Sequence, residues 1–352
     1  MTSPRIAITH GDINGIGYEV IIKTFEDERM TELCTPVLFG SAKILQQYSR
    51  QLGLNVQYNV INNISEARQG ILNVINCIDP EIKTDPGVST PVAGQAAFAS
   101  LEAAVQAIKE GHADILVTAP INKKNIQSEN FVFPGHTEYL ESVAGDEARA
   151  LMVLTADTLR VALVTTHLPL AQIPATLTED LIYQKIKQFD YSLRRDFGIN
   201  YPRIAVLALN PHAGEEGLLG NEETQVIIPA IEKAKAERIM AFGPYASDGF
   251  FGSGRFVKFD GILAMYHDQG LAPFKTMSMD KGVNFSAGLP WVRTSPDHGT
   301  GYDISGRGEA SPDSLRCAIY EGIDIFRNRI RYDEAHRNPL KKHYREQNHN
   351  ND

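Results

Sequence analysis

Cysteine is scarce in this sequence. The 352 residues include three cysteines, at positions 34, 77 and 317, and no pair has the CxxC spacing. Three widely separated thiols can form neither a disulfide framework nor a thiolate zinc site. We therefore expect all three to be buried small apolar residues, in a protein of a reducing compartment.

Long apolar runs are also lacking. No stretch approaches the roughly 18 apolar residues that a membrane-spanning helix requires, and the first residues lack the apolar core of a signal peptide. We expect a soluble, cytoplasmic protein without a membrane partner.

Positive charge is in deficit. The chain has 34 Lys and Arg against 43 Asp and Glu, a formal net charge of −9. A general nucleic-acid binder needs a basic face that displaces counterions from phosphate, so no nucleic-acid partner is expected. The deficit still permits a small anionic substrate held by a few local cations.

The chain is long enough for two domains, because single cores stop growing at about 250–300 residues. Short apolar runs rich in β-branched residues alternate with segments of helical period, which is typical of βαβ units and a mostly parallel sheet. The predicted strands are Arg5–Thr9, Pro36–Gly40, Ala113–Thr118, Arg160–Thr166, Arg203–Leu209 and Gly261–Tyr266. The predicted helices are Gln95–Glu110, Glu179–Arg195 with Thr178 as N-cap, Asn221–Arg238 with a kink at Pro229, and Ser314–Arg329. The predicted irregular segments are Ala241–Lys258, Gly282–Glu309 and a polar tail at 336–352.

Three predicted strands finish in histidine, at His167, His212 and His267. Ligands gather at the carboxyl ends of strands in open α/β sheets, so these side chains can converge. Three imidazoles with open positions would form a catalytic divalent-metal site. The alternative is that each histidine is an isolated polar residue capping its strand.

A second group of residues is cationic and polar. Lys and Arg are common phosphate holders, Arg as a fork and Lys as a point charge. The alternative is that the charged members are solvated surface residues and the others an N-cap turn. The group comprises His136, Thr137, Lys275, Asn284 and Arg293.

Two glycine-rich segments are candidates for binding a cofactor. The first, HGDINGIGYEV, is not GxGxxG, so a standard dinucleotide-binding turn is not supported and a tight strand-to-helix turn is favoured. The second, SPDHGTGYDISGRG at 295–308, has enough glycine and polar groups to wrap an adenosine. The pattern alone indicates only a loop.

Together these motifs resemble the 4-hydroxythreonine-4-phosphate dehydrogenase family of vitamin B6 biosynthesis, often called PdxA. The resemblance extends from about Arg5 to Arg329. The matching segments, in order, are ITHGDINGIGYEV, ILVTAPINKK, FPGHTEYL, VALVTTHLPL, LALNPHAGEEG, AMYHDQGLAPFK and GVNFSAGLPWVRTSPDHGTGYDISGRG.

The resemblance implies a fold similar to that of isocitrate and isopropylmalate dehydrogenases, with two α/β/α lobes and the active site in the cleft. One lobe would comprise 1–130 and 285–335, and the other 131–284. It also implies one divalent metal per subunit at His167, His212 and His267, in a site completed by the second subunit of a homodimer.

The resemblance further assigns substrate contacts to the cationic and polar group named above. It implies NAD or NADP as cofactor, bound without GxGxxG by a loop that includes His298, Gly299, Thr300 and Asp303. The catalytic candidates are Lys275, which also contacts substrate, and Asp248 and Asp268, which would move a proton or steer the metal ligands. Three imidazoles favour Zn²⁺, with Co²⁺, Mn²⁺ and Mg²⁺ as alternatives.

The implied reaction is oxidation of the 3-hydroxyl of 4-phosphooxy-L-threonine followed by decarboxylation. Two departures from the family pattern leave substrate and cofactor preference open: Ile13-Asn14 and Tyr18 after His10 in the first turn, and GPYASDGFF around Asp248. The nearest alternative is a dehydrogenase of erythronate or threonate 4-phosphate. A metal-dependent lyase or hydrolase without redox chemistry, and a non-catalytic two-lobed binding protein, are further alternatives.

Overall fold

The computed structural model describes residues 3–278 and 281–338. The part of the predicted polar tail from 339 onward, with His343 and His349, lies outside the described residues. The strands are β1 (Arg5–Thr9), β2 (Thr35–Gly40), β3 (Tyr58–Ile61), β4 (Leu72–Asn76), β5 (Ile115–Thr118), β6 (Leu151–Ala156), β7 (Leu159–Leu163), β8 (Arg203–Leu207), β9 (Met240–Tyr245), β10 (Gly261–Ala264), β11 (Val283–Ala287) and β12 (Val292–Pro296).

Helices cover both faces of the sheet. They are α1 (Gly17–Phe25), α2 (Arg29–Leu33), α3 (Ala42–Leu52), α4 (Pro91–Lys109), α5 (His136–Ala144), α6 (Ile173–Thr176), α7 (Glu179–Arg195), α8 (Ile228–Ala236), α9 (Ser247–Gly252), α10 (His267–Ser278) and α11 (Asp313–His336). Among the described residues, no helix combines the length and the apolar character needed to span a membrane.

One sheet runs through the molecule. Its strand order is β3-β4-β2-β1-β5-β12-β11-β6-β7-β10-β8-β9. The pairs are parallel except at the centre, where β12–β11, β11–β6 and β6–β7 are antiparallel. The predicted α/β class with a mostly parallel sheet is therefore confirmed.

Local signals set the helix ends. The Thr178 side chain accepts a hydrogen bond from Leu181 N at 3.1 Å, and acids lie in the first turn of α7 and arginines in the last, as the helix dipole favours. Thr90 caps α4 in the same way, with Pro91 at its first position. This helix therefore begins four residues before the predicted Gln95.

Two segments predicted to be irregular contain regular structure. Ala241–Lys258 holds most of β9 and all of α9, and Gly282–Glu309 holds β11 and β12. In both segments the strands form because neighbouring strands pair with them, an interaction that local composition does not reveal. The predicted helix Asn221–Arg238 is also divided: a π-helical turn spans Glu223–Ile227, and Pro229 lies in the first turn of α8 rather than at a kink.

The cysteine prediction holds for one residue of three. Cys34 is fully buried, and burial raises the pKa of its thiol to about 12. Cys77 and Cys317 are partly exposed. All three are free thiols.

The strands that precede the three candidate histidines are neighbours. β10 lies between β7 and β8 and pairs in parallel with both, so their carboxyl ends meet at one edge of the sheet. The histidines lie beyond the ends of these strands, and His267 is the first residue of α10.

Candidate active site

A cavity of about 300 Å³ lies beside the carboxyl ends of β5 and β7 and the antiparallel centre of the sheet. Its size suits a small molecule. Most of the candidate site residues line it. These are His136, Thr137, His167, His267, Lys275, Asn284, Arg293, His298 and Gly299.

Arg293 is the buried cation of this cavity. It is 2% exposed, and its guanidinium donates to Thr118 Oγ1 at 2.7 and 3.1 Å and to Ser286 Oγ at 3.1 Å. Burial lowers its pKa to about 10, so it stays charged at neutral pH. Among residues 3–278 and 281–338, no carboxylate lies within 4 Å of it. A buried charge held only by neutral hydroxyls favours an anionic ligand.

Two lysines also line the cavity, and one of them is paired with an acid. Lys275 Nζ lies 3.3 Å from Asp297 Oδ1. Burial raises the pKa of Asp297, and the charge of Lys275 opposes that rise. Lys123, which the sequence argument did not single out, also lines the cavity.

His136 and Thr137 begin α5, so they present the amino-terminal end of a helix to the cavity. Burial, and then the charges of Arg293 and Lys123, hold the pKa of His136 well below its usual range. The imidazole is therefore neutral at physiological pH. Its Nε2 has no hydrogen-bond partner in the described structure, and neither has Asn284 Oδ1. Buried polar atoms without partners mark a place where a ligand can bind.

His167 and His267 face each other, with ring centroids 6.1 Å apart. His167 Nδ1 lies 3.0 Å from Glu138 Oε1, and His267 Nδ1 lies 2.7 Å from Asp268 Oδ1. A carboxylate on Nδ1 orients an imidazole and leaves Nε2 for a metal. Both imidazoles suit a divalent metal, but Lys123 Nζ lies 3.3 Å from His167 Nε2 and must move before that nitrogen can bind one.

Glu138 was also not among the candidate residues predicted from the sequence, although it follows His136 and Thr137 in the same motif. Burial raises the pKa of its carboxyl, but the hydrogen bond from His167 and the nearby cations outweigh burial and leave the pKa below its usual value. Lys123 Nζ lies 3.3 Å from His167 Nε2, on the opposite side of the ring from Glu138. These contacts span 29 and 44 residues of sequence, so no local pattern could reveal them.

His212 does not join the other two histidines within one chain. It lines a neighbouring cavity with Asp248 and Asp268. Within the described ranges, no group of three His, Cys, Asp or Glu side chains is arranged to hold a metal. A single chain therefore presents two of the three candidate ligands together.

An unusual turn carries His212. Residues 212–216 all have positive φ, from 44° to 77°, and only Gly214 among them adopts this conformation freely. The left-handed conformation costs roughly 1–2 kcal/mol for each residue with a side chain. Contacts elsewhere must therefore hold this turn.

The two glycine-rich segments meet. Thr300 O accepts from Ile16 N at 2.9 Å, and Tyr302 Oη donates to Asp12 Oδ2 at 2.7 Å. Gly15 is required there, since a Cβ would lie 2.6 Å from Thr300 O. His298 and Gly299 reach the cavity, whereas Thr300 and Asp303 are not among its lining residues.

The departures in the first turn lie in the core. His10 and Tyr18 are fully buried, with stacked rings 5.2 Å apart between centroids. Asn14 accepts from Asp85 N and donates to Val88 O. None of these three residues lines the cavity that holds Arg293.

Comparison with known proteins places this chain in a family. Residues 32–321 match the family model described as "Pyridoxal phosphate biosynthetic protein PdxA". A 4-hydroxythreonine-4-phosphate dehydrogenase from Bacteroides thetaiotaomicron is 55% identical over 342 residues, covering 97% of this chain and 94% of that protein. A relative from Oceanobacillus iheyensis carries the provisional name D-threonate 4-phosphate dehydrogenase; it is 37% identical over 92% of this chain and 98% of its own length.

A solved structure agrees with these relatives. The 4-hydroxythreonine-4-phosphate dehydrogenase from Klebsiella pneumoniae has a TM-score of 0.80 against this chain, with 35% identity. The match covers 92% of this chain and 98% of that one. The resemblance found in the motifs is confirmed, and the chain belongs to the PdxA family of pyridoxal phosphate biosynthetic proteins.

Proposed function

We propose that this protein oxidises the 3-hydroxyl of 4-phosphooxy-L-threonine with NAD or NADP. The resulting 3-keto acid would lose CO₂ to give 3-amino-2-oxopropyl phosphate, a precursor in pyridoxal 5'-phosphate biosynthesis. The observation that carries the proposal is the buried, hydroxyl-bound Arg293 in a cavity that also holds the His167 and His267 imidazoles, since this arrangement suits an anionic substrate beside a metal.

Phosphate and carboxylate groups of the substrate would bind to the positive side of the cavity. Arg293 can donate two parallel hydrogen bonds to one anionic group, and Lys275 contributes a single positive charge. His136 and Thr137 lie at the amino-terminal end of α5, where a helix favours an anion. Asn284 would use its unpartnered Oδ1 to accept a hydrogen bond from the substrate.

His167, His267 and His212 would hold one divalent metal, with Zn²⁺ favoured and Co²⁺, Mn²⁺ or Mg²⁺ as alternatives. Such a metal lowers the pKa of a bound hydroxyl and polarises the carbonyl formed from it. Glu138 and Asp268, which lie beside Nδ1 of His167 and His267, would keep the proton on that nitrogen and so fix the orientation of each ring. Proton removal is assigned to Asp248, Asp268 or Lys275.

A homodimer would bring His212 of one subunit to His167 and His267 of the other. Exposed leucines next to these residues support this assembly. Leu168 and Leu170 follow His167, while Leu218 and Leu219 follow the His212 turn, with Leu218 78% exposed. Apolar side chains at such positions are typical of a protein–protein interface.

The nicotinamide cofactor would lie along the loop that contains His298, Gly299, Thr300 and Asp303, where that loop meets the first glycine-rich turn. The hydride chemistry belongs to the cofactor, and the protein supplies its placement. The lobes would be 1–130 with 285–335, and 131–284. The pairing of β12 with β5 supports placing β12 in the first lobe. The boundary at 284/285 falls inside β11, whose whole length pairs with β6 of the second lobe.

The substrate experiment compares three reactions of the purified protein with added Zn²⁺ or Mg²⁺. Turnover of 4-phosphooxy-L-threonine with formation of NADH or NADPH is the expected result. Turnover of D-threonate or D-erythronate 4-phosphate alone would favour the sugar-acid alternative. Product formation without consumption of a nicotinamide cofactor would favour the lyase.

A further inference from the structure

The left-handed turn at His212 is held from one side by a buried acid. Glu223 is 2% exposed and begins the π-helical turn that precedes α8. Its Oε1 accepts hydrogen bonds from Leu209 N at 2.9 Å and from Asn210 N at 2.8 Å. These two amides lie between the end of β8 and the turn, so the carboxylate fixes the point from which the turn starts.

The second oxygen of Glu223 also binds Asn210 and lies against the centre of the turn. Oε2 accepts from Asn210 Nδ2 at 3.0 Å. A Cβ on Gly214, at the centre of the turn, would lie 2.6 Å from this oxygen. The carboxylate is therefore packed against the backbone of the turn itself.

Neighbouring contacts do not replace this interaction. In the described part of the chain, Glu222 accepts a hydrogen bond from the side chain of Asn210, at 2.7 Å, and from no backbone amide. Glu223 has no salt bridge within the part of the chain that the structure describes. Its buried charge is balanced by N–H donors alone, which ties the carboxylate to one geometry.

We propose that Glu223 is a positioning residue that holds the turn in its left-handed conformation and so sets the place of the His212 imidazole. Because four residues with side chains are held at positive φ, loss of the carboxylate lets the turn relax and moves the imidazole. The inference rests on the proposed role of His212 as a metal ligand.

The test uses the full chain and measures Zn²⁺ affinity by competition with a chromophoric chelator. Glu223→Gln keeps the shape of the side chain but presents NH₂ to a donor, and we expect it to weaken Zn²⁺ binding about 10–100-fold. The matched control is Glu222→Gln, the same change one residue away, which should stay within about twofold of the parent. The visible spectrum of the Co²⁺-loaded protein should change for Glu223→Gln and not for the control.

His212→Ala separates this inference from the function on which it rests. If His212→Ala leaves Zn²⁺ affinity unchanged, the metal role of His212 is wrong. If His212→Ala weakens binding while Glu223→Gln behaves like Glu222→Gln, the positioning role alone is wrong. Combining Glu223→Gln with His212→Ala should weaken binding no more than His212→Ala does, whereas additive losses would mean that Glu223 acts by another route.

Gly214→Ala keeps the inference testable if Glu223→Gln does not fold. It disturbs the same contact without changing charge and should weaken Zn²⁺ binding in the same direction. Unchanged affinity in folded Gly214→Ala protein would overturn the proposal.

Discussion

At the scale of single residues, the cation that distinguishes this cavity is Arg293. Hydroxyls of Thr118 and Ser286 hold it, and no carboxylate within 4 Å competes for its charge in the described structure. The Arg293 guanidinium is therefore available to bind a phosphate or carboxylate of a ligand. Sequence spacing could suggest this residue as an anion binder, but not that it is buried.

Arg293→Lys tests the fork. Lysine keeps the charge but loses the paired donors, so we expect KM for the phosphorylated substrate to rise about 10–100-fold. Steady-state kinetics measure this change. Arg68→Lys, on an exposed arginine, is the control. An unchanged KM for Arg293→Lys would show that substrate binding does not need the paired donors of Arg293.

His10 makes the stability of the fold depend on pH. Both ring nitrogens are buried and have no hydrogen-bond partner among the described residues, and burial lowers the pKa of the imidazole to about 4. In the unfolded chain this imidazole has its ordinary pKa of 6.5. The free energy of unfolding is therefore highest above pH 6.5 and decreases as the pH falls toward 4. Because the unfolded chain takes up this proton, the free energy of unfolding should decrease by about 2 kcal/mol between pH 7 and pH 5.

His10→Phe should remove that dependence while it keeps the stacking on Tyr18. Urea unfolding of both proteins at pH 7 and pH 5 measures the difference. The parent should lose about 2 kcal/mol more than the variant between these pH values. Equal losses would show that His10 does not cause the acid sensitivity.

At the scale of elements, local sequence patterns identified those helices and strands that have clear capping residues or clear hydrophobic periodicity. Helical period and the Thr178 cap predict the existence of α4, α7 and α11, but α4 begins four residues before its predicted start and α11 ends at His336, beyond the predicted Arg329. Buried β-branched runs predict β1 and β2 to within a residue at each end. The antiparallel centre of the sheet could not be predicted in this way. β11 and β12 become strands because β6 and β5 pair with them across long sequence separations.

The N-cap of α7 offers an element-scale prediction. Thr178→Ala removes the acceptor for Leu181 N and should lower the free energy of unfolding by about 1 kcal/mol. Thr158→Ala, at an exposed threonine in the turn between β6 and β7, should change it by less than about 0.5 kcal/mol. Urea titrations compare the two, and equal effects would show that the cap contributes nothing specific.

At the scale of the whole molecule, one chain assembles most of the candidate site but not all of it. Sequence motifs indicated three histidines at strand ends that could converge, and the sheet places β7, β10 and β8 side by side. They could not indicate that the turn after β8 carries His212 into a separate cavity. That outcome depends on the left-handed turn, which has no simple sequence signature.

Subunit complementation tests the proposed homodimer. His167→Ala and His212→Ala should each be inactive alone. If sites are shared, half of the randomly reassembled dimers contain one intact site, so an equal mixture unfolded and refolded together should recover about one quarter of the parental activity. No recovery, with dimers verified by sedimentation, would mean that each site uses histidines from one subunit only.

The fixed position of Arg293 lowers the entropic cost of binding an anion. Its guanidinium is anchored to β5 and to β11, on either side of its own strand, so its rotamer is fixed when the sheet forms. The conformational entropy of that long side chain is lost during folding and not at each encounter with a ligand. The pocket is thus preorganised, and binding an anion does not cost the conformational entropy of the Arg293 side chain.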